Sequence, residues 1–508
     1  MRISQSVLIA AAASTAVAWQ AAISLSWGLA IDAPILAYSA FAMDRFGAVP
    51  YRDILDFNVP GAYLANLAIG RVFGFSELGL RLGDLTWLAA LLAVTMLALR
   101  RFGWRTACAA PLLFGGFYLG YGPAMGLQRE YLLLLPTALA VLLAFQDDRP
   151  VRTRALAIGL LIGIAATIKP HAALLLPVFG AWLLSSIDRA RSRGVLVLVL
   201  TLGFVAPLLT TAAWLQATGA LDAFLEMAAN YWPLYNELSG QPPHRILQGS
   251  EWWRTTVVEF FIRRDARHLI LIPAAVGVWL AIKRSALAPE TRRQVWLLAG
   301  VAIALEVYPI AAGKFWYYHW LPSIYAASLL AALCFVPRPD HARVSRDLVP
   351  AMLVVMLMAQ SPAIWRTIRQ MKSDVARAPI GTAHRIKAAL QDRLRPDDLV
   401  QPLDWTTGMV HGLLLAEARL ATPFLYDFYF YHHVSNTYIQ SLRRRFIDAL
   451  ETTRPAFIVA AARPRPLAGP DTDPAFVELS EILRRDYQAV VTEPLFVLYE
   501  RNDRQAAR

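Results

Sequence analysis

Long apolar blocks separated by short, arginine-rich polar stretches dominate the first 365 residues of the chain. Eleven blocks read as membrane-spanning helices: Val7–Ala30, Leu82–Leu99, Thr106–Gly122, Tyr131–Phe145, Ala155–Ile168, Ala172–Ile187, Gly194–Leu215, Leu269–Ile282, Val295–Ala312, Trp320–Val336 and Leu348–Trp365. Several fall short of the roughly 20 residues that a bilayer core requires. Short or proline-interrupted helices are tolerated where they line a protein-walled, hydrated cavity, and that is what this pattern predicts.

Two stretches between blocks carry a different pattern. Asp32–Phe46 places Ile35, Leu36, Tyr38, Phe41, Ala42 and Phe46 at helical spacing, which predicts a helix lying along the membrane interface. Pro50 and Pro60-Gly61 punctuate the chain, and Ala62–Phe73 predicts a second interfacial helix. The long segment Gln216–His268 is rich in Trp, Tyr, Pro and Gly, as in Asn230-Tyr-Trp-Pro-Leu-Tyr235 and Trp252-Trp253, and reads as an aromatic belt or a lid.

Beyond Trp365 charges become frequent and strand-like runs appear at Leu399–Trp405, Ala456–Ala461, Ala489–Val491 and Leu495–Tyr499. Helical patterns at Asn436–Leu450 and Pro474–Tyr487 fall between them, so residues 366–508 are expected to form a small α/β domain. The predicted organisation is a transmembrane domain over 1–365, with exterior loops at 31–81 and 216–268, followed by that exterior domain.

Composition excludes an ordinary soluble protein. Of 508 residues 57% are hydrophobic and 17% charged, against about 25% charged in globular domains. Placing the N-terminus in the cytoplasm gives every inside loop at least three basic residues: Arg100, Arg101 and Arg105; Arg149, Arg152 and Arg154; Arg189, Arg191 and Arg193; Lys283, Arg284, Arg292 and Arg293; Arg338, Arg343 and Arg346. The outward turns near Arg129, Lys169 and Lys314 carry one each, and eleven spans bring the C-terminal domain outside, to the periplasmic or extracellular face of a plasma membrane. The net charge of +12 is then a topology signal from loops facing anionic lipid, with no nucleic-acid partner implied. Cys108 and Cys334 lie in or beside apolar spans as small core residues. The apolar run past Trp19 is too long for a signal-peptide core, so the first block is expected to remain as a span.

The candidate chemistry concentrates at the membrane edge in Asp32, Tyr51, Arg52, Asp53, Asp56 and Asn58, since acids near a bilayer are costly and usually functional. Downstream, Gln128-Arg129-Glu130, Thr167-Ile-Lys-Pro170 and Gly313-Lys-Phe-Trp-Tyr-Tyr-His-Trp-Leu-Pro322 set charges at the ends of apolar blocks. A loop acid, a proline-containing segment, an interfacial helix and the Phe73-Gly-Phe-Ser-Glu-Leu-Gly-Leu-Arg81 turn follow in order, then these three pieces. That ordered set resembles GT-C superfamily membrane glycosyltransferases, in the bacterial branch related to protein O-mannosyltransferases and lipid A aminoarabinose transferases. The Pro50-Tyr-Arg-Asp53 and Asp56-Phe-Asn58 wording departs from the aminoarabinose branch, which leaves donor and acceptor open.

The resemblance implies an inverting transfer of a sugar from a polyprenyl-phosphate donor to a glycan, lipid or protein acceptor on the outer face. It implies a loop carboxylate as base, with Asp32 first and Asp53 and Asp56 in support. Lys169, with Arg129, His319, Lys314 and Arg52, would meet the lipid phosphate. Glu130, Tyr51 and Asn58 would line the acceptor side. Arg81 is expected to pair with Glu77 or Asp84. No cofactor is expected; two acids could hold a divalent metal, but no His/Cys spacing supports one. The alternatives are a glycan polymerase or ligase with a diphosphate-linked donor, expected to concentrate Arg and His in a late loop, and a secondary transporter or flippase, expected to show repeats and mid-membrane charges.

Overall fold

A computed structural model describes residues 5–505 except 147, 186–189, 241–242, 263–265, 284–287, 337–377, 406 and 464. The chain divides into two units. Unit 1 comprises Met1–Trp27, Arg81–Thr211 and Thr256–Lys372; unit 2 comprises Gly28–Leu80, Ala212–Thr255 and Ser373–Arg508.

The regular structure of unit 1, among its described residues, is all helical. Among the described residues five helical segments are long and apolar enough to cross a membrane: Glu77–Phe102, Val151–Ile168, Ser192–Ala217, Pro289–Ala312 and Tyr317–Phe335. Pro170–Leu184 and His268–Lys283 are shorter apolar segments. The expected span Tyr131–Phe145 is a break after Arg129–Leu132 followed by the helix Leu134–Ala144, and the expected span Leu348–Trp365 lies outside the described residues. Tyr317–Phe335 is enclosed by protein along its whole apolar stretch, as suits a short segment kept away from lipid.

Glycine sets a close helix contact in unit 1. Gly159 and Gly163 lie one turn apart on Val151–Ile168 and face Gly203 and Phe204. A Cβ at Gly159 would fall 2.2 Å from the Leu200 carbonyl oxygen, and one at Gly163 would fall 2.3 Å from that of Phe204. Small residues at this spacing let backbones approach where no hydrophobic driving force separates helix from lipid. A second fixed point is a buried network: Arg81 pairs with Asp84 and donates to the Ser24 hydroxyl, while Tyr118 Oη and the Leu127 amide donate to Asp84. Asp84 is thus the partner Arg81 takes among its expected two.

Unit 2 joins the two loop segments to a five-stranded sheet. Its strands are β1 (Leu399–Leu403), β2 (Arg419–Leu420), β3 (Phe457–Ala461), β4 (Tyr487–Thr492) and β5 (Phe496–Arg501). The order is β2-β1-β3-β5-β4, with β1 parallel to both β2 and β3, and β5 antiparallel to β3 and β4. Phe496, Leu498 and Glu500 alternate inward on β5, the period of a strand buried on one face. The helix Thr437–Thr453 opens with the Asn436 side chain accepting from the Tyr438 amide at 2.9 Å, and buries Ile439, Leu442, Phe446 and Leu450.

The loop helices fall where the pattern placed them, at Ala33–Phe46 and Pro60–Phe73. Proline sits in the first turn of each, where its missing N–H costs nothing. Gly47 ends the first in a left-handed conformation at φ 66°. Tyr38 Oη donates to the Ala418 carbonyl at 2.8 Å, and the Leu55 amide donates to that of Pro423 at 2.6 Å, so the first loop is stitched to the C-terminal segment.

Gly159→Val should force the Val151–Ile168 helix off its neighbour and cost about 1–3 kcal/mol, read as a lower melting temperature of the detergent-solubilised protein beside an unaffected Gly194→Val control, whose position has open space around it.

Candidate functional site

Four chain breaks in unit 1 bring charged residues together. Glu130 lies in the first turn of the short helix Arg129–Leu132, three residues after Leu127, which holds a left-handed φ of 56°. Lys169 sits in extended conformation between Ile168 and Pro170, because a residue before proline is pushed out of the helical region. Lys314 follows Gly313, whose φ of 62° ends the helix Pro289–Ala312. His319 lies in the tight turn Tyr317–Trp320, ahead of Pro322.

Glu130 is the hub. Its Oε1 lies 2.9 Å from Lys169 Nζ and 3.2 Å from His319 Nε2, and accepts from Tyr308 Oη at 2.8 Å. The other ring nitrogen of His319 faces the Lys314 carbonyl at 2.7 Å. Glu130 Oε2 is buried with no hydrogen-bond partner among the described residues. Lys169, Lys314, Arg129 and His319 are all buried. Burial would raise the Glu130 carboxyl, but Lys169 first, then His319 and Arg129, outweigh it and hold the group well below the usual carboxylate range. Burial and the nearby Lys169 charge bring the Lys314 ammonium down to about 7. Lys169, His319 and Arg129 therefore act on one carboxylate, with Lys314 close to Lys169. Tyr308 completes the cluster, and sequence reasoning missed it because it lies mid-block, 178 residues from Glu130.

Unit 2 contains the loop acids, and their environments separate them. Asp56 is buried and saturated: Oδ1 accepts from the Phe57 amide at 2.8 Å and Tyr426 Oη at 2.6 Å, and Oδ2 from Asn58 Nδ2 and Tyr63 Oη, both at 2.7 Å. Tyr51 donates to the Asn58 carbonyl from a strained left-handed position at φ 70°. Asp53 is clamped by Arg52, whose Nε and Nη2 reach it at 3.0 and 2.7 Å, and by the Val49 amide at 2.8 Å. Arg52 also donates to the Thr218 carbonyl at 2.9 Å.

Asp32 differs from both. It is half-buried at the N-cap of Ala33–Phe46, yet its side chain makes no capping bond to that helix. Ile31 before it holds a left-handed φ of 58°, rare for a β-branched residue and a mark of local strain. The tandem His432-His433 is packed in, bonded to Tyr231 and Glu237 at 3.1 and 3.0 Å. Glu306 accepts a hydrogen bond from Ser323. Among the described residues no three His, Cys, Asp or Glu side chains are grouped to hold a metal ion.

Broken apolar helices in unit 1, with a small sheet in unit 2, make a fold that solved structures share. In particular it is similar to the crystal structure of ArnT from Cupriavidus metallidurans bound to undecaprenyl phosphate, at TM-score 0.61 and 15% identity over 97% of each chain. The apo state of the same protein gives the same figures. Arabinofuranosyltransferase AftD from Mycobacteria matches at TM-score 0.47 and 15% identity, over 98% of this chain and 40% of that one. No protein-family profile and no curated protein sequence matches the chain.

Asp56→Asn should act through stability, because the amide nitrogen it introduces faces hydroxyl and amide donors. We expect a loss of about 2–4 kcal/mol, seen as a drop in melting temperature that tracks any loss of function.

Proposed function

We propose that the protein transfers a sugar from a polyprenyl-phosphate donor to an acceptor hydroxyl at the outer face of the plasma membrane. The observation that supports this reading is the buried unit 1 cluster, where Lys169 and His319 meet Glu130 and where Arg129 and Lys314 are also buried. Burying a charge costs several kcal/mol per ion, so cations gathered at broken helix ends suit a site that takes an anion. A phosphate entering it gains charge-assisted hydrogen bonds that water would otherwise provide. Glu130 keeps Lys169 in place, and its Oε2 is a ready acceptor for a donor-sugar hydroxyl.

In this reading Asp32 is the general base. The acceptor hydroxyl gives its proton to the Asp32 carboxylate as its oxygen attacks the anomeric carbon; the bond from that carbon to the phosphate oxygen breaks, and polyprenyl phosphate leaves as an anion. Asp53 and Asp56 are poorer bases because their lone pairs are already occupied by Arg52 and by four neutral donors. They shape the loop instead. Residues 1–365 would form the transferase domain in the membrane and residues 366–508 its exterior domain, with the N-terminus cytoplasmic.

Two experiments test the assignment. Purified protein offered a panel of polyprenyl-phosphate sugars should transfer from at least one, and Asp32→Asn should cut the rate about 100-fold or more with donor affinity and melting temperature retained. Full activity in a folded Asp32→Asn protein removes Asp32 from the base role, and no donor binding across the panel sinks the transferase reading.

The second is a pH profile. A polyprenyl-phosphate sugar is a phosphodiester whose single charge does not titrate near neutrality, whereas Lys314 is charged below about 7 and neutral above it. Donor affinity should therefore fall as pH rises through that value, and Lys314→Gln should flatten the profile. A slope that survives the substitution assigns it to another group.

A further inference from the structure

A partly open cleft in unit 2 is bordered by Ile31, Pro34 and Ile35 from one stretch of chain and by Asp404, Trp405 and His411 from another. Asp32 belongs to the stretch of chain that forms the first wall. The two walls differ in chemistry: one is aliphatic, and the other combines an indole, an imidazole and a carboxylate.

The polar wall is held in place from behind. Trp405 is half-buried and packs edge-on against Phe428, with ring centroids 4.9 Å apart. His411 is 1% exposed, and its Nε2 lies 3.1 Å from Glu77 Oε1. The Glu77 Oε2 is met by His384 at 3.1 Å. Gly28 makes room for this arrangement: a Cβ there would fall 2.3 Å from Glu77 Oε1 and 3.3 Å from His411 Cε1. Asp404 Oδ2 accepts from the Thr407 amide and hydroxyl at 2.6 and 2.7 Å, which fixes its carboxylate in the wall.

Two ring nitrogens of this wall, Trp405 Nε1 and His411 Nδ1, have no hydrogen-bond partner among the described residues. Leaving such a group buried and unmade costs about 1–3 kcal/mol, and two in one cleft indicate a ligand with hydrogen-bonding groups. Both atoms are occluded, so a ligand engages them through a small ring rotation, as unliganded sites often tighten only on binding. A lipid tail would leave both nitrogens unmade. An anion would meet the Asp404 carboxylate. A sugar ring answers both walls, with a C–H face for the aliphatic side and the indole and hydroxyls for the nitrogens and carboxylate.

We infer that this cleft is the acceptor subsite and that it takes a pyranose hydroxyl-bearing ring, with Trp405 and His411 as positioning residues that hold it for Asp32. The inference rests on the transferase reading for its name and on the cleft for its chemistry.

The test uses full-length protein in nanodiscs and a panel of methyl pyranosides as probes. Saturation-transfer NMR should show at least one glycoside bound, with the signal lost in Trp405→Ala and His411→Ala and weakened in Trp405→Phe, which keeps an aromatic ring but removes the N–H. With an active donor, the KM for that glycoside should rise about tenfold in His411→Ala, the loss of one hydrogen bond worth about 1.4 kcal/mol, while donor Kd is followed in parallel. Absence of binding by every glycoside, or binding that Trp405→Ala, Trp405→Phe and His411→Ala all leave unchanged, overturns the inference even if donor transfer to another acceptor is intact. Trp405-dependent glycoside binding in a protein that binds no polyprenyl-phosphate sugar sustains the carbohydrate cleft and removes the transferase reading instead.

Discussion

One carboxylate oxygen, Glu130 Oε1, organises the polar part of unit 1. It is approached by Lys169, His319 and Tyr308, which come from separate stretches of otherwise apolar helical sequence. The breaks around it have local causes: the proline after Lys169, the left-handed glycine before Lys314 and the turn ahead of Pro322. None would be stable alone, since an unpaired charge among apolar helices is expensive. Meeting at a shared carboxylate makes the breaks mutually dependent. The helix ends are fixed by chemistry as much as by packing.

Asp56 in unit 2 shows the opposite design with the same functional group. Its four lone-pair sites are taken by two tyrosine hydroxyls, an amide side chain and a backbone N–H, and no cation is needed. Saturation by neutral donors anchors the loop after Tyr51 to Tyr426. Such a carboxylate has nothing left to offer a substrate. Asp53, paired with Arg52, is similarly engaged, so the loop acids divide by burial and by the donors that hold Asp53 and Asp56, not by their distance along the chain.

This division explains how far the sequence could be read. The loop helices, four of the five strands and the Arg81–Asp84 pair follow from periodicity, proline placement and i,i+3 spacing, all local signals. Glu130, Lys169, Lys314 and His319 stood out because each is a charge or imidazole at the end of an apolar block. Their partners did not. Tyr308 lies 178 residues from Glu130 and Tyr426 lies 370 residues from Asp56, and a tyrosine in an apolar run has no periodicity that announces a hydrogen bond. Strand β2 has only two residues, too few for any pattern.

The likeness to ArnT at 15% identity speaks for the fold, so the chemistry has to be argued from the side chains. Unit 1 provides its own comparison. Arg81 and Asp84 form a buried pair of one positive and one negative group, closed by Ser24, Tyr118 and the Leu127 amide, with the Trp27 ring 4.5 Å from the guanidinium. The cluster around Glu130 is built differently. Lys169 Nζ, His319 Nε2 and Tyr308 Oη all meet Glu130 Oε1, and the ammonium of Lys314 is driven down to about 7 by burial and by Lys169. Glu130 Oε2 has no hydrogen-bond partner among the described residues, so this cluster keeps a buried acceptor where the Arg81–Asp84 pair keeps none.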